Sequence, residues 1–458
     1  MGAVFVSLTP SRAVALRVVN EARTRGAWGH ELLGTALDRS HLDERDAAFA
    51  TRLAYGVLSS EGTLDEALDH HLDRPSRVHP KVRDALRLAA YELLFMRTPD
   101  RVAVHQGVEA VRSVERRATG LANAVLRRVA EEAPSFPWGD PDTDGATLAR
   151  LTSHPAWLVA RLIDDLGPER ARTMLEADNE PAPLYLAHNP FMGTFSALMS
   201  SLEGHGVTPE AVGPPGCIVA GTPSAAVKSE ALNSGACVVA DAGAQFVASL
   251  AAPPPGGRGA DIASGRGTKT LLMQAGSLRA GGVSEILAAD VHEYKVSLLA
   301  ERLAMLKVPG VQAVVADSTD PASVDAFGGP ASADAVLVDA PCSGLGTLRR
   351  HPEKRWRLDE TTIDTLARVG GRMLETAALL VRPGGFVVYS TCTMTERENR
   401  AVVEGFLATT PGSEFTVRPV AQAVPHGWER FVTAEGWFCS VPEPAGPDGH
   451  FAAVLVRG

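Results

Sequence analysis

Cysteine is scarce in this chain, with five among 458 residues, at positions 217, 237, 342, 392 and 439. An odd number so widely spaced forms no disulfide framework, and no CxxC or Cys/His spacing offers a zinc site. The expectation is a metal-free protein of the cytoplasm. Long apolar runs are also missing. None approaches the roughly 18 residues of a membrane span, and the start, Met1-Gly2-Ala3-Val4-Phe5-Val6-Ser7, lacks the positive and apolar regions of a signal peptide. Secretion and membrane insertion are disfavoured. An excess of positive charge is absent as well: the formal charge of −10 excludes a protein that coats nucleic acid through a broad positive field. No surplus apolar stripe or heptad repeat asks for a second chain, so a monomer is expected. What remains, 45% hydrophobic and 21% charged residues, is the composition of an ordinary folded protein long enough for two or three domains.

Three regions follow one another. Residues 1–132 read as an all-α bundle, because Val14 with Val18, Phe49 with Leu53 and Val57, Leu64 with Leu68 and Leu72, and Leu121 with Val125 and Val129 repeat at helical spacing. Residues 133–145, with Pro134, Pro137, Gly139 and Pro141, break that pattern and read as a linker. Residues 146–252 open with a helix signal around Trp157 to Leu166. They continue with short strand-like runs, Leu184 to His188 and Cys217 to Ala220, which predicts a small α+β subdomain. Residues 253–458 alternate apolar strands with helical stretches, the signature of an α/β domain with a parallel sheet covered on both faces.

Four successive strands of that last region are expected to end in aspartate, at Asp261, Asp290, Asp317 and Asp339. After the first comes Ala263-Ser264-Gly265-Arg266-Gly267-Thr268-Lys269, a glycine turn leading into a helix. Its backbone can approach a ligand closely, and the helix N-terminus presents free N–H groups. The spacing fits neither a P-loop nor GxGxxG. Asp290 is placed for two ribose hydroxyls and Asp317 for an adenine amino group, a set that suits S-adenosylmethionine better than NAD. Two cysteines follow strands, in Asp339-Ala340-Pro341-Cys342-Ser343-Gly344 and in Ser390-Thr391-Cys392-Thr393. A thiolate adding to carbon 6 of cytosine makes carbon 5 nucleophilic, a carboxyl group at nitrogen 3 steadies the adduct, and a second base must then take the carbon 5 proton. Two cysteines and an acid meet that need. Cys217, Cys237 and Cys439 read as small buried hydrophobes. Just beyond Cys342, Arg349, Arg350, His351, Lys354, Arg355 and Arg357 form a local basic cluster, despite the acidic whole.

The stretches Asp339 to Trp356 and Tyr389 to Asn399 resemble the fourth and sixth motifs of the Sun/RsmB-type RNA 5-methylcytosine methyltransferases. The first 130 residues, including Gly120-Leu121-Ala122-Asn123, resemble a NusB-like RNA-binding domain. The resemblance implies a Rossmann-like S-adenosylmethionine-dependent methyltransferase domain acting on ribosomal RNA of the small subunit. By motif it implies Cys392 as nucleophile, Cys342 as the group assisting product release and Asp339 as the acid on cytosine. The cofactor would lie against Asp261, Asp290, Asp317, Asp339 and the turn from Ala263 to Lys269. The RNA would meet Arg349, Arg350, His351, Lys354, Arg355 and Trp356, the last either stacking on a base or packing in a core.

The chain departs from that family at the cofactor turn, usually Cys-Ala-Ala-Pro-Gly-Gly-Lys, where the proline and one glycine are lost and Arg266 is gained. His450-Phe451 also stands where a pair of phenylalanines is usual. The competing reading is a catalytically silent RNA-binding assembly factor that kept the fold while its cofactor turn decayed.

Overall fold

The computed structural model describes residues 7–96 and 98–458, so the N-terminal stretch read above for a signal peptide lies, but for Ser7, outside the described residues. The chain divides into two compact units, Met1–Asn179 with Leu348–Leu358, and Glu180–Thr347 with Asp359–Gly458. The middle region of the sequence is therefore split, its first three helices falling in the first unit and its strands, with the helices among them, in the second. No described helix is long and apolar enough to cross a membrane.

The first unit is helical throughout. Helices Pro10–Arg25, Gly29–Asp38, Glu44–Ser59, Glu61–Asp69, Pro80–Leu94, Asp100–Val114 and Thr119–Glu132 bury the stripes visible in the sequence, with Leu53, Leu64, Leu68, Leu86 and Leu126 at 0% exposure. Local signals set the ends. Asp43 caps the third helix by accepting from the Asp46 N–H at 2.8 Å, and Gly26 closes the first in the left-handed conformation, φ 64°. The expected linker is packed rather than loose: Phe136 lies against Phe95 and Trp138, and the Trp138 indole N–H donates to the Glu132 carbonyl. Helices Gly145–Thr152, Ala156–Leu166 and Pro168–Ala177 complete the unit.

The second unit holds two sheets. Strands β1 (Tyr185–His188), β2 (Pro209–Ala211), β3 (Cys217–Ala220) and β4 (Cys237–Val239) form an antiparallel sheet in the order β2-β3-β1-β4. The larger sheet contains β5 (Arg258–Asp261), β6 (Glu285–Asp290), β7 (Val311–Val315), β8 (Ala333–Asp339), β9 (Val381–Thr391), β10 (Phe415–Arg418), β11 (Phe438–Ser440) and β12 (His450–Arg457). Its order is β10-β12-β9-β8-β5-β6-β7, with β11 paired to β12. The run from β9 to β7 is parallel, and Val336, Leu337 and Val338 of β8 are wholly buried, as a sheet covered on both faces requires. The sheet is nonetheless mixed, because β12 runs antiparallel to β9, β10 and β11. Strand order reverses between β5 and β8, and a crevice at such a switch point, outside the carboxyl ends of the strands, is where open α/β sheets hold ligands.

Candidate active site

Three of the four aspartates end strands as expected: Asp261 ends β5, Asp290 ends β6 and Asp339 ends β8. Asp317 follows β7 by two residues, exposed, with Oδ1 accepting from the Thr319 N–H and hydroxyl at 2.9 and 2.7 Å, which lowers its pKa. Asp290 Oδ1 accepts from the His292 N–H at 3.0 Å. Asp261 is the most confined. It is 1% exposed, Thr270 donates to its Oδ2 at 2.6 Å, and its Oδ1 has no hydrogen-bond partner. Burial drives its pKa up to about 6, with Asp339 adding to the rise and Thr270 and Lys269 opposing it.

Between β5 and helix Thr268–Arg279 the glycine turn is held from both sides. Ser264 donates from N–H and hydroxyl to the Ala289 carbonyl at 2.8 and 2.9 Å, and Arg302 Nη1 donates to the Arg266 carbonyl at 2.6 Å and to the Thr268 hydroxyl at 3.0 Å. Gly267 has φ 75°, and a Cβ there would lie 2.3 Å from Leu299 Cδ1, so the turn needs glycine at this point. The Arg266 side chain points to solvent. An unpartnered buried carboxylate oxygen, a close-packed glycine turn and Asp290 gather at adjacent strand ends, a donor set that fits S-adenosylmethionine.

The thiols meet. Asp339 of β8 and Ser390 of β9 are register partners, so the loops after these strands start side by side and bring Cys342 Sγ within 3.3 Å of Cys392 Sγ. The Cys392 N–H donates to Cys342 Sγ at 3.2 Å. Beside them Lys269 Nζ lies 2.7 Å from Asp339 Oδ2, and the Ser390 hydroxyl donates to Asp339 Oδ1 at 3.0 Å. Burial opposes the charge on Lys269, but Asp339, Cys392 and Asp261 together raise its pKa. Cys342 goes well above the ordinary thiol range, through its hydrogen bond to Cys392, through burial, and through the negative charges of Cys392 and Glu398. Cys217 and Cys237 are buried and pushed up to about 12, chiefly by burial, and Cys439 is partly buried in β11.

The sequence reading assigns no role to three residues here. Glu398 is 1% exposed and bonded to both cysteine loops, Arg302 braces the turn, and His450 lies buried with its Nδ1 3.6 Å from Asp241. The Glu398-Asn399 pair lay within a quoted motif, but a glutamate in a run of charged residues carries no local sign of burial.

The basic cluster is placed differently from the expectation. Residues Leu348–Leu358 belong to the first unit. Arg355 is 0% exposed, donating to the carbonyls of Ser153 (3.0 Å) and Asp178 (3.2 Å) and to Asn179 Oδ1 (3.0 Å), so it is a buried anchor and not a phosphate ligand. Trp356 lies against the helix Glu61–Asp69, with its indole N–H donating to the Ser59 carbonyl at 2.7 Å, so of the two readings it packs. The cause is local: Pro352–Trp356 winds into a short 3-10 helix, which turns Pro352, Glu353 and Arg355 inward. Arg349, Arg350, His351 and Lys354 stay partly exposed.

A seven-strand path with its order reversed at β5/β8, an antiparallel β12 beside β9, and a glycine turn backed by strand-end acids together define an S-adenosylmethionine-dependent methyltransferase of Rossmann-like fold. Comparison with known proteins narrows the class. Residues 248–456 match the family described as 16S rRNA methyltransferase RsmB/F, residues 9–131 the NusB family, and residues 154–223 the ferredoxin-like domain of RsmF/B-like methyltransferases. The chain is 33% identical to ribosomal RNA small subunit methyltransferase B of Thermus thermophilus, covering 97% of each chain. It is 31% identical to Rv1407 of Mycobacterium tuberculosis, described as a methyltransferase, over 98% of this chain and 97% of that one. In fold it resembles the crystal structure of PH0851, with a TM-score of 0.79, 23% identity, and coverage of 99% of this chain and 100% of that one. The chain belongs to the RsmB/F methyltransferase family, and its methyl donor is S-adenosylmethionine.

Proposed function

We propose that this protein methylates carbon 5 of a cytosine in small-subunit ribosomal RNA through a covalent adduct on Cys392. The observation that carries the reading is the pair of sulfurs 3.3 Å apart beside the Lys269–Asp339 pair. A methyltransferase acting on a nitrogen or oxygen has no use for two thiols at its strand ends. The ribosomal substrate is supported by the name of the Thermus relative.

In this reading Cys392 adds to carbon 6 of the cytosine, and the ring's double-bond pair moves to carbon 5, which attacks the methyl group that the cofactor supplies. Asp339, fixed by Lys269 and Ser390, contacts the nitrogen 3 edge. Cys342 then takes the proton from carbon 5, the double bond reforms, and Cys392 leaves as thiolate. Asp261, Asp290 and Asp317 with the turn from Ala263 to Lys269 hold the cofactor, and Arg349, Arg350, His351 and Lys354 meet the RNA. The silent assembly factor is disfavoured, since a decayed site has no reason to keep two sulfurs 3.3 Å apart beside the Lys269–Asp339 pair; calorimetry that finds no S-adenosylmethionine binding by the folded protein would revive it.

RNA carrying 5-fluorocytosine has no removable proton at carbon 5, so the adduct cannot resolve. The expected result is a denaturation-resistant protein–RNA band that Cys392→Ala abolishes, whereas Cys342→Ala accumulates a similar band even on ordinary RNA. A native protein that forms no band with the fluorinated RNA would refute the covalent route.

A further inference from the structure

Glu398 precedes helix Arg400–Leu407 and is 1% exposed. Its Oε1 accepts from the Ser343 N–H at 2.6 Å, and its Oε2 from the Ser343 hydroxyl at 2.6 Å and the Thr395 hydroxyl at 2.8 Å. The Ser343 hydroxyl also lies 2.6 Å from that of Thr393. Ser343 follows Cys342 and Thr393 follows Cys392, so the carboxylate holds the residue next to one sulfur directly and the residue next to the other through the Ser343 hydroxyl. Among the described residues, its hydrogen-bond partners are all neutral. Three donors converge on its two oxygens, from the residue after Cys342 and from the loop after Cys392, so its position beside both thiols points to a use.

We propose that Glu398 is a positioning residue that holds the two cysteine loops together and directs the one proton shared by the sulfurs to Cys342, leaving Cys392 as the nucleophile. The inference rests on the covalent reading above. The charged and titratable groups facing the pair are unequally placed. Glu398 repels negative charge on Cys342 while the Cys392 N–H, donating to Cys342 Sγ, opposes that effect in part; Lys269, paired with Asp339, attracts negative charge on Cys392; and Tyr389, held far above its ordinary range by burial, stays a neutral phenol that donates to the Glu398 carbonyl at 2.7 Å. The same arrangement times the second step. Two of the causes that hold the proton on Cys342 are the hydrogen bond to Cys392 and the negative charge there. Once Cys392 is bonded to carbon 6 both are gone, so Cys342 can release its proton to water and then accept the one from carbon 5.

The test needs no RNA. The native protein is treated with limiting iodoacetamide across a range of pH and the alkylated peptides are quantified, with Cys217 and Cys237 as buried reporters of folding. Cys392 is expected to react at neutral pH and Cys342 only above the ordinary thiol range. In Glu398→Gln the preference for Cys392 should fall about tenfold, because the negative charge that helps to keep the proton on Cys342 is gone. An unchanged preference in a Glu398→Gln protein whose Cys217 and Cys237 stay protected overturns the proposal. If that variant does not fold, the native profile decides: Cys342 reacting at the same pH as Cys392 overturns it, and Cys342 reacting only at higher pH supports it. A missing adduct on fluorinated RNA would instead strike the covalent reading and leave the thiol preference standing.

Discussion

Asp261 shows how one residue can be tuned for a ligand at the expense of the empty fold. Its rise to about 6 means that ionisation at neutral pH is opposed by burial, with one oxygen unpartnered. The folded state binds the proton more tightly than the unfolded chain, so the carboxyl contributes stability below the ordinary 3.8 and loses it as pH climbs through about 6. At neutral pH the deficit is on the order of 3 kcal/mol. Asp261→Asn should accordingly raise the thermal midpoint of the cofactor-free protein by more at pH 7.5 than at pH 5, while weakening S-adenosylmethionine binding about tenfold through loss of a charged acceptor. Scanning calorimetry and titration calorimetry measure the two effects, and an equal gain in midpoint at both pH values would contradict the assignment. Single residues were unevenly legible in the sequence. The strand-end acids and the two thiols stood out because each follows an apolar run, and Lys269 because it opens a helix. Glu398 and Arg355 did not, since the burial of a charged side chain depends on partners distant in sequence.

At the level of elements, apolar runs marked β5, β6 and β8 to within a residue or two, but they carry no information on direction. The antiparallel placement of β12 beside β9 depends on how the chain returns, which no local pattern records. The glycine turn shows a second limit. Its sequence departs from the usual family pattern, and only the structure reveals what steadies it: Arg302, from helix Glu293–Met305, gripping the Arg266 carbonyl and the Thr268 hydroxyl. Burial and the nearby Arg266 depress the Arg302 pKa, yet the guanidinium keeps both bonds. Arg302→Gln should loosen the turn and weaken cofactor binding about tenfold, in line with the loss of charge-assisted hydrogen bonds. The secondary structure should not change. Titration calorimetry checks the first and circular dichroism the second; unaltered cofactor affinity would mean that the turn holds its shape without the brace.

Across the whole molecule, the least legible feature is that an eleven-residue stretch, Leu348–Leu358, lies between two parts of the catalytic unit in sequence yet folds as part of the helical one. Arg355 makes this possible. Buried contacts to Ser153, Asp178 and Asn179 bridge more than 170 positions, and Glu353 accepts from the Gly29 N–H at 2.7 Å across 324. Burial lowers the guanidinium to about 10, against the opposing pull of Asp178 and Glu353, so it stays charged at neutral pH. Removing one member of such a buried set strands the others, at a cost of about 3–5 kcal/mol. Arg355→Met should therefore lower the thermal midpoint of the helical unit and expose the helices between Gly145 and Ala177 to limited proteolysis, with S-adenosylmethionine affinity unchanged. Lys354→Ala, one residue away and partly exposed, should leave the midpoint alone and reduce RNA affinity, with a shallower dependence on salt. If Arg355→Met instead kept its midpoint and lost RNA binding as Lys354→Ala does, the basic run would be a phosphate-binding surface after all, and the inward turn at Pro352–Trp356 would not describe the protein that meets its substrate.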